Sequence, residues 1–371
     1  MTNIYLVRHA EAEGNMYRRA HGQMNGLIIG RGFAQIECLR KRFADTNIAA
    51  VYSSDLTRAM TTAAAVSEPR GYTIRTSELL REVRMGLWED VCWGDLDCTS
   101  AEEYRLFNHD PENWLIEGAE RFEEVQTRMV KAIREIARSY DGQTVAVFSH
   151  GFAIRAFMCH IMNIKSADIS KVLYCDNTAV TLLHCENDDI KIEYYGDNSH
   201  LSNELSTFAN QTWWRKSSGP AMENLRFVRY ELGRDDKFLD AIVPRPQLCA
   251  ESATCSDNPE SPYCSVCADS AADDFSGAFT ALMTSGPAGF LDFSETGRIN
   301  CIYMLPELRR MGYGVQLLGQ AVSCMRRKRI ERLTAEVPAD ALWLPFFYKY
   351  GFTALESGEK TLVLEKNIKN W

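Results

Sequence analysis

The sequence predicts two domains of different architecture, a three-layer α/β/α sandwich with a mostly parallel sheet and a smaller α+β domain with a mixed sheet. The 371 residues exceed what one hydrophobic core usually serves. Strand and helix patterns alternate in the first half, and this order changes after a polar stretch with Gly and Pro at 216–222. We therefore expect domains at 1–215 and 223–371, joined by that linker.

The first domain alternates short apolar runs with helically spaced apolar residues. The runs predict strands at 4–8, 48–54 and 144–150, and the spacings predict helices at 31–46, 56–68, 119–140 and 152–162. Two further strands are expected at 178–185 and 190–196, and a last helix over 204–215 would pack Trp213 and Trp214 at the junction. Strands separated by helices pair in parallel, so helices should cover both faces of the sheet.

The second domain begins with a strand pattern at 225–232, followed by a helical and a cysteine-rich stretch. Three strands at 278–286, 288–293 and 298–305 are separated by the turn signals "GPA" and "SETG", which indicates an antiparallel meander. The remaining patterns predict a helix at 312–328, a strand at 332–337, a helix at 341–350 and two last strands.

Composition excludes several classes of partner. The net charge is −9, so no nucleic-acid partner is expected, because such binding needs an excess of Lys and Arg. No apolar run is long enough to span a bilayer, and "NIYLV" near the start lacks the features of a secretory segment. The 12 scattered cysteines then predict reduced thiols and a cytoplasmic location.

Five charged or titratable residues of the first domain fall near predicted strand ends. Arg8 and His9 end the first strand, and His150 ends the strand at 144–150. Arg58 begins a helix after another strand, and Glu82 lies on a connecting segment. Ligand sites gather at the carboxyl ends of parallel strands, and arginine forks match phosphate oxygens. Each of these elements alone is a weak signal, and the adjacent Arg8 and His9 either share an anionic ligand or face water.

"RHAEAEGN" followed by "RAHG" resembles the R-H-G-x-T-x-x-N and R-x-x-G pattern of the histidine phosphatase superfamily, the phosphoglycerate-mutase-like enzymes. The resemblance covers residues 3 to 200. It implies that His9 attacks phosphorus and carries it as phosphohistidine, and that Glu82 is the general acid and base. The fixed cations would bind the phosphoryl oxygens, with no metal needed. The implied catalytic residues that bind the phosphoryl group are Arg8, Arg58 and, as a further hydrogen-bond donor, His150; the implied substrate-binding residues are Asn15, Arg19, His21 and Gly22.

Three positions depart from the family pattern. Ala10 replaces the glycine after the catalytic histidine, and Ala12 replaces a residue with a hydroxyl near the phosphate. Ile29 stands where a helix-capping hydroxyl is expected, a loss of about 1 kcal/mol. None of these changes removes a catalytic group.

Around the predicted acid, "EVRMGLWED" resembles the E-x-x-x-G-x-W-E pattern of the family's phosphatases. A phosphatase acting on a small phosphorylated metabolite is therefore favoured. A phosphoglycerate-type mutase and a non-catalytic module that binds phosphate or CoA are the alternatives. Glu120 matches a family glutamate, although acidity at a helix start explains it equally well.

"CIYMLPELRRMGYGVQLL" at 301–318 resembles motif A of the GNAT N-acetyltransferases. The resemblance implies an acetyl-CoA cofactor whose pyrophosphate is held at the start of a helix, and an amine acceptor. It also implies that Tyr348 protonates the departing thiolate. The proton acceptor stays open among Asp292, Glu295 and Glu336. The implied cofactor-binding residues are Leu305, Arg309, Arg310, Met311, Gly312, Tyr313, Gly314 and Val315.

The cysteine-rich stretch carries Cys249, Cys255, Cys264 and Cys267. A single C-x-x-C with irregular partners is a weak match to a zinc site, so we expect no metal and a loop over the acceptor region. The oligomeric state is left open, a homodimer included.

Overall fold

The computed structural model describes residues 1–211, 223–230, 277–358 and 360–370. It divides into two compact units, Met1–Met222 with the last two residues, and Glu223–Lys369. The predicted linker, Trp213, Trp214 and the cysteine-rich stretch lie outside the described residues. No helix in the described part of the chain is both long enough and apolar enough to cross a membrane.

The first unit contains a six-stranded sheet in the order β3-β2-β4-β1-β5-β6. Its strands are β1 Thr2–Arg8, β2 Ala50–Ser53, β3 Arg75–Thr76, β4 Thr144–Ser149, β5 Val180–Glu186 and β6 Asp189–Asp197. Neighbours among the first four strands of this order are parallel. The strands β5 and β6 add an antiparallel edge. The mostly parallel sheet is thus confirmed, while the short β3 was not predicted.

Helices cover both faces of this sheet. They are α1 Glu13–Tyr17, α2 Gly30–Arg42, α3 Thr57–Ser67, α4 Trp93–Thr99, α5 Ala101–His109, α6 Phe122–Ser139, α7 Gly151–Ile161 and α8 Thr207–Asn210. Alternate residues of β4 belong to two different cores: Val145 and Val147 pack with residues of α6 and α7. Ala146 and Phe148 pack with residues of α2 and α3. This alternation gives the expected three layers.

The predicted last helix of this unit is shorter than expected within the described residues. Only Thr207–Asn210 is helical there. The Ser206 hydroxyl accepts a hydrogen bond from the Ala209 N–H and caps this turn.

The second unit contains a seven-stranded mixed sheet in the order β12-β13-β11-β10-β9-β8-β7. Its strands are β7 Arg226–Arg229, β8 Phe279–Met283, β9 Gly286–Phe293, β10 Arg298–Met304, β11 Arg332–Pro338, β12 Thr353–Ser357 and β13 Thr361–Asn367. The described helices are α9 Gly314–Arg327 and α10 Leu344–Lys349. The meander β8-β9-β10 is antiparallel, as predicted.

Strands β10 and β11 are the parallel pair of the second sheet, and they pair only near their starts. Arg298 lies opposite Thr334 and Ile299 opposite Ala335, after which a bulge interrupts β10. The carboxyl end of β10 is therefore free of β11, and the chain passes from there into the glycine-containing loop before α9.

Candidate active site

Two neighbouring parallel strands place the two predicted catalytic histidines side by side. Arg8 at the end of β1 lies opposite Ser149 at the end of β4. The next residues, His9 and His150, therefore leave the sheet together, and their ring centroids are 5.1 Å apart. The His9 N–H also donates to the Ser149 carbonyl at 3.0 Å. The topology thus brings together two motifs that are far apart in sequence.

The tautomer of His9 follows from one hydrogen bond. Its Nδ1 lies 2.7 Å from the carbonyl oxygen of Ala10. A carbonyl can only accept, so Nδ1 carries the proton and Nε2 keeps its lone pair. Burial lowers the pKa of His9 well below 6.5, and the nearby Arg58 and Arg8 lower it further. The ring is thus neutral and held in one orientation, as the predicted role of His9 as nucleophile requires.

His150 is fully buried and has no hydrogen-bond partner on either ring nitrogen within the described residues. Burial lowers its pKa well below 6.5, and the positive charge of the nearby Arg58 lowers it further. A buried polar atom without a partner costs about 1–3 kcal/mol. A bound ligand that hydrogen-bonds to this ring would remove that cost.

Two arginines give the site its positive charge. Arg58 is 1% exposed, and burial lowers its pKa to about 10, so it stays charged at neutral pH. Its Nη1 and Nη2 donate to the carbonyls of Met24 and Gly22 at 2.9 and 2.6 Å. Arg8 donates to the carbonyl of Cys175, and its buried Nε has no hydrogen-bond partner among the described residues. Within the described part of the chain, no carboxylate forms an ion pair with either arginine. The site therefore suits an anion.

Glu82 is held at the start of α7. Its Oε1 accepts hydrogen bonds from the N–H groups of Val83 at 3.0 Å and Ala153 at 2.8 Å. Its Oε2 accepts from the Phe152 N–H at 3.1 Å. Since α7 begins directly after His150, the predicted acid and this histidine share one helix N-terminus.

The predicted substrate-binding residues have different surroundings. Asn15 accepts a hydrogen bond from the Ala12 N–H at 3.1 Å, and the Gly22 carbonyl binds Arg58. Arg19 and His21 both face Asp90, whose Oδ1 lies 2.8 Å from Arg19 Nε and 3.4 Å from His21 Nε2. Arg19 thus forms a buried structural ion pair, and its role towards substrate stays a prediction.

Two of the departures from the family pattern are helix N-caps. Ala12 precedes α1 and Ile29 precedes α2, and neither side chain makes a capping hydrogen bond. At Ile29, the helix therefore lacks the capping hydrogen bond that the family's hydroxyl would provide, as the sequence predicts.

Glu89 is a site-building residue that sequence reasoning missed. Its carboxylate accepts four backbone N–H bonds, three of them from the loop that supplies the acceptors of Arg58. The donors are Gly22, Gln23, Met24 and Met85. The available signal was its place as the final glutamate of the E-x-x-x-G-x-W-E pattern.

Arg128 and Asn177 were also missed, and neither carries a motif signal. Arg128 forms a bidentate pair with Glu120 and donates to the carbonyls of Leu79, Arg81 and Glu82. Asn177 Nδ2 donates to the carbonyl of His9 at 2.9 Å. Both side chains hold the backbone of a predicted catalytic residue.

The loop before α9 in the second unit has the backbone that an anion site needs. Arg310 has a φ of 62° and Gly312 a φ of 89°, and Gly314 is the first residue of the 14-residue helix α9. Arg309 Nε donates to the Met304 carbonyl at 3.0 Å, which ties the loop to β10. Turned backbone at the start of a long helix suits a pyrophosphate, so these residues fit acetyl-CoA.

The predicted acid and base residues of the second unit differ in exposure and pairing. Tyr348 on α10 is 46% exposed. Glu295 pairs with Lys328 at 3.1 Å, and the Glu336 carboxylate lies 3.0 Å from an arginine. Asp292 on β9 is half-buried, and burial raises its pKa while the Asn300 amide donates to it at 3.2 Å. Asp292 is therefore the one of the three without an ion pair in the described structure.

Among the described residues, no cluster of His, Cys, Asp and Glu is arranged to hold a metal ion. The four cysteines of the stretch from Cys249 to Cys267 lie outside those residues.

Two protein families match different parts of the chain. Residues 4–198 match the histidine phosphatase superfamily (branch 1). Residues 231–352 match the acetyltransferase (GNAT) family. The first match covers more than half of the chain.

Several characterised or named proteins are similar to the first half. Phosphoserine phosphatase 1 of Hydrogenobacter thermophilus is 27% identical over 188 residues, which are 50% of this chain and 88% of that protein. The metal-independent phosphoserine phosphatase of Arabidopsis thaliana is 30% identical over 206 residues, covering 54% and 84%. Probable phosphoglycerate mutase GpmB of Erwinia tasmaniensis is 29% identical over 209 residues, covering 54% and 95%. The structure of Bacillus stearothermophilus YhfR is 28% identical with a TM-score of 0.52, covering 54% of this chain and 99% of that one.

Proposed function

The chain belongs to the histidine phosphatase superfamily, and on this premise we propose that its first domain is a metal-independent phosphomonoesterase with a phosphohistidine intermediate at His9. One observation carries the proposal: the hydrogen bond from Nδ1 to the Ala10 carbonyl leaves the Nε2 lone pair free, in a site with two arginines that form no ion pair with a carboxylate in the described structure. Attack by Nε2 on phosphorus is the chemistry that these groups suit.

In the first step, Nε2 of His9 forms a bond to phosphorus while the bond from phosphorus to the ester oxygen breaks. Arg8, Arg58 and His150 bind the three non-bridging oxygens, where negative charge is spread in the transition state. Glu82, in its protonated form, gives its proton to the departing oxygen. The alcohol leaves, and His9 carries the phosphoryl group.

In the second step, the Glu82 carboxylate takes a proton from a water molecule, and the water oxygen attacks phosphorus. The bond to Nε2 of His9 breaks, and inorganic phosphate is released. Glu82 is then protonated again for the next cycle. The three backbone N–H groups that hold this carboxylate keep it in one place throughout.

The substrate class we propose is a small phosphomonoester, with phosphoserine as the first compound to test. The names of two relatives support this choice, since both are phosphoserine phosphatases. The competing proposal is a phosphoglycerate mutase reaction, in which the phosphoryl group moves between two hydroxyls. It is supported by the relative named as a probable phosphoglycerate mutase. The two differ in the acceptor of the phosphoryl group, which is water in one case and a second hydroxyl in the other.

A panel of phosphomonoesters, assayed at neutral pH with EDTA present, tests the proposal. We expect release of inorganic phosphate that is lost in His9→Ala, and acid-labile, base-stable labelling of His9 in Glu82→Gln because the second step lacks its base. Activity that needs an added metal, or label on another residue, would contradict the proposal. Conversion of 3-phosphoglycerate to its isomer without phosphate release would assign a mutase.

For the second domain, we propose an acetyl-CoA-dependent N-acetyltransferase. When bound, acetyl-CoA supplies the acetyl group as a thioester. The backbone of Gly312 to Gly314 would hold the pyrophosphate, Asp292 would take a proton from the incoming amine, and Tyr348 would protonate the thiolate. The absence of an ion pair at Asp292 in the described structure supports its selection over Glu295 and Glu336.

Thiol release from acetyl-CoA, measured across a panel of small amines, tests this second activity. We expect Asp292→Asn to lower the rate and to remove the fall of the rate at acid pH that titration of Asp292 causes, while Glu295→Gln behaves as wild type. Equal rates in both variants would assign the proton transfer to another group.

A further inference from the structure

The segment 199–211, here called the strap, follows directly after the family match that ends at residue 198. It contains α8 and contacts three parts of the candidate phosphatase site. The Phe208 ring faces Arg8, and Gln211 Nε2 donates to the Asn15 carbonyl at 3.3 Å. The Ser206 hydroxyl donates to Asp176, the neighbour of Asn177, whose amide donates to the His9 carbonyl. The strap therefore meets the site at several points.

The Phe208 ring contacts the Arg8 guanidinium without accepting a hydrogen bond from it, so the N–H groups of Arg8 are not used by this contact. The Arg8 guanidinium carbon lies 5.8 Å from the ring centroid, within the range of a cation–π contact. A carboxylate at this place would neutralise Arg8 and occupy its N–H groups. An aromatic face stabilises the cation and leaves its Nε, which is buried and has no partner in the described part of the chain, available for an anion.

Asp176 links the strap to the backbone of the nucleophile. Its Oδ2 accepts from the Ser206 hydroxyl at 2.6 Å, and its Oδ1 accepts from the Phe208 N–H at 3.4 Å. The same Oδ1 accepts from the N–H of Asn177 at 2.8 Å. The Asn177 amide then donates to the His9 carbonyl at 2.9 Å. Two side chains thus connect the strap to His9.

Thr178, the next residue, has a left-handed φ of 59°, which is rare for a β-branched residue. Its N–H points to the His9 carbonyl at 3.4 Å, and its hydroxyl lies 3.0 Å from Nε2 of His200. Arg42 donates to the other ring nitrogen of His200, so Nε2 carries the proton and donates to Thr178. A strained backbone conformation persists only where surrounding residues stabilise it. At Thr178 one of these residues is His200, which belongs to the strap.

We propose that the strap is a positioning element of the phosphatase site, with Phe208 setting the affinity of Arg8 for the phosphoryl group and Ser206 acting on His9 through Asp176. This inference rests on the proposed phosphatase function. If the strap has this role, phosphate binding depends on residues 199–211, which follow the segment 4–198 that matches the family.

Variants of Phe208 in the full chain separate positioning from packing. Phe208→Leu keeps apolar volume but removes the ring, whereas Phe208→Tyr keeps the ring. We expect the inhibition constant of inorganic phosphate, and the KM of the best phosphomonoester, to rise roughly 5- to 30-fold in Phe208→Leu and to stay within about twofold of wild type in Phe208→Tyr. Phe33→Ala, at a phenylalanine that is 55% exposed on α2, is the control and should match wild type.

Equal phosphate affinity in Phe208→Leu and wild type, at unchanged melting temperature, would overturn the proposal. Failure of the phosphatase function is a different result, namely no hydrolysis of any phosphomonoester by the wild type. In that case, calorimetric titration with inorganic phosphate still compares the two proteins, and weaker binding by Phe208→Leu alone supports the strap. Absence of phosphate binding in both would count against it.

Discussion

Arg128 donates to both carboxylate oxygens of Glu120, at 2.6 and 2.9 Å, and both side chains are nearly buried. The same guanidinium donates to the carbonyl of Glu82 at 3.0 Å and to two carbonyls just before it. The pair therefore fixes the backbone of the segment that carries the proposed general acid.

We predict that Glu120→Gln lowers kcat about tenfold with little change in KM, because it frees the Glu82 backbone without altering the cations that bind phosphate. The free energy of unfolding should fall by about 3 kcal/mol, since Arg128 loses its charged partner in a buried place. Steady-state kinetics and denaturant unfolding measure the two effects. Glu123→Gln, at an exposed position one turn away, is the control. A change confined to KM would contradict the positioning role.

A second prediction concerns Glu89, whose carboxylate accepts the N–H groups of the loop that binds Arg58. Glu89→Gln places an amide NH2 opposite two of those donors, and each buried N–H left unpaired costs about 1–3 kcal/mol. We expect kcat/KM to fall about tenfold and the melting temperature to drop by several degrees. The exposed Glu117→Gln should leave both unchanged. Wild-type kinetics in Glu89→Gln would show that Arg58 is held independently of the loop.

The core of the phosphate site could be predicted because its residues follow strands whose parallel pairing the pattern implies. His9 and His150 come from such strands and meet in the structure. The helices α4 and α5 escape prediction because Ser100 divides them into segments of 7 and 9 residues, too short for a clear helical period.

The supporting residues could not be predicted, since each acts through a contact between distant parts of the chain. The Asn177 amide reaches the carbonyl of a residue 168 positions earlier. The motif predicts Arg19 as a substrate ligand but gives no sign of its ion pair with Asp90, which lies 71 positions further on. Only the folded chain places such pairs together.

A third prediction concerns stability at acid pH. The folded state holds His150 with a pKa well below 6.5, because burial disfavours the charged ring. Below about pH 6.5 the unfolded chain binds a proton that the folded chain does not, so stability falls as the pH is lowered. The loss is up to about 1.4 kcal/mol per pH unit for one such group. We expect the melting temperature in phosphate-free buffer to fall between pH 7.5 and 5.5, and to fall less steeply in His150→Gln. His160→Gln, at an exposed histidine, should keep the wild-type slope.

A fourth prediction uses the uncapped start of α2. Ile29 has extended backbone angles of −96° and 169°, which suit an N-cap, but its side chain cannot accept a hydrogen bond. Ile29→Thr keeps part of the apolar contact and adds the missing acceptor, so we expect a gain of about 0.5–1 kcal/mol in the free energy of unfolding. Ile29→Val, which trims the side chain without adding a hydroxyl, is the control and should not gain stability. A gain in both variants would assign the effect to relieved crowding.

The last prediction concerns the loop before α9. Gly312 has a φ of 89°, a conformation that a residue with a Cβ adopts only with strain. Gly312→Ala should therefore turn the backbone N–H groups away from the pyrophosphate position and weaken acetyl-CoA binding at least tenfold in calorimetric titration. Gly286→Ala is the matched control in the same unit: its φ is also positive, at 126°, and its Cβ would meet no atom within 4 Å. A pyrophosphate site in this loop requires that Gly312→Ala loses acetyl-CoA affinity and Gly286→Ala keeps it. Equal losses in the two variants would assign the effect to backbone strain in general, and wild-type affinity in both would contradict the site. Phosphatase kinetics should be the same in both variants, since each change lies in the second unit.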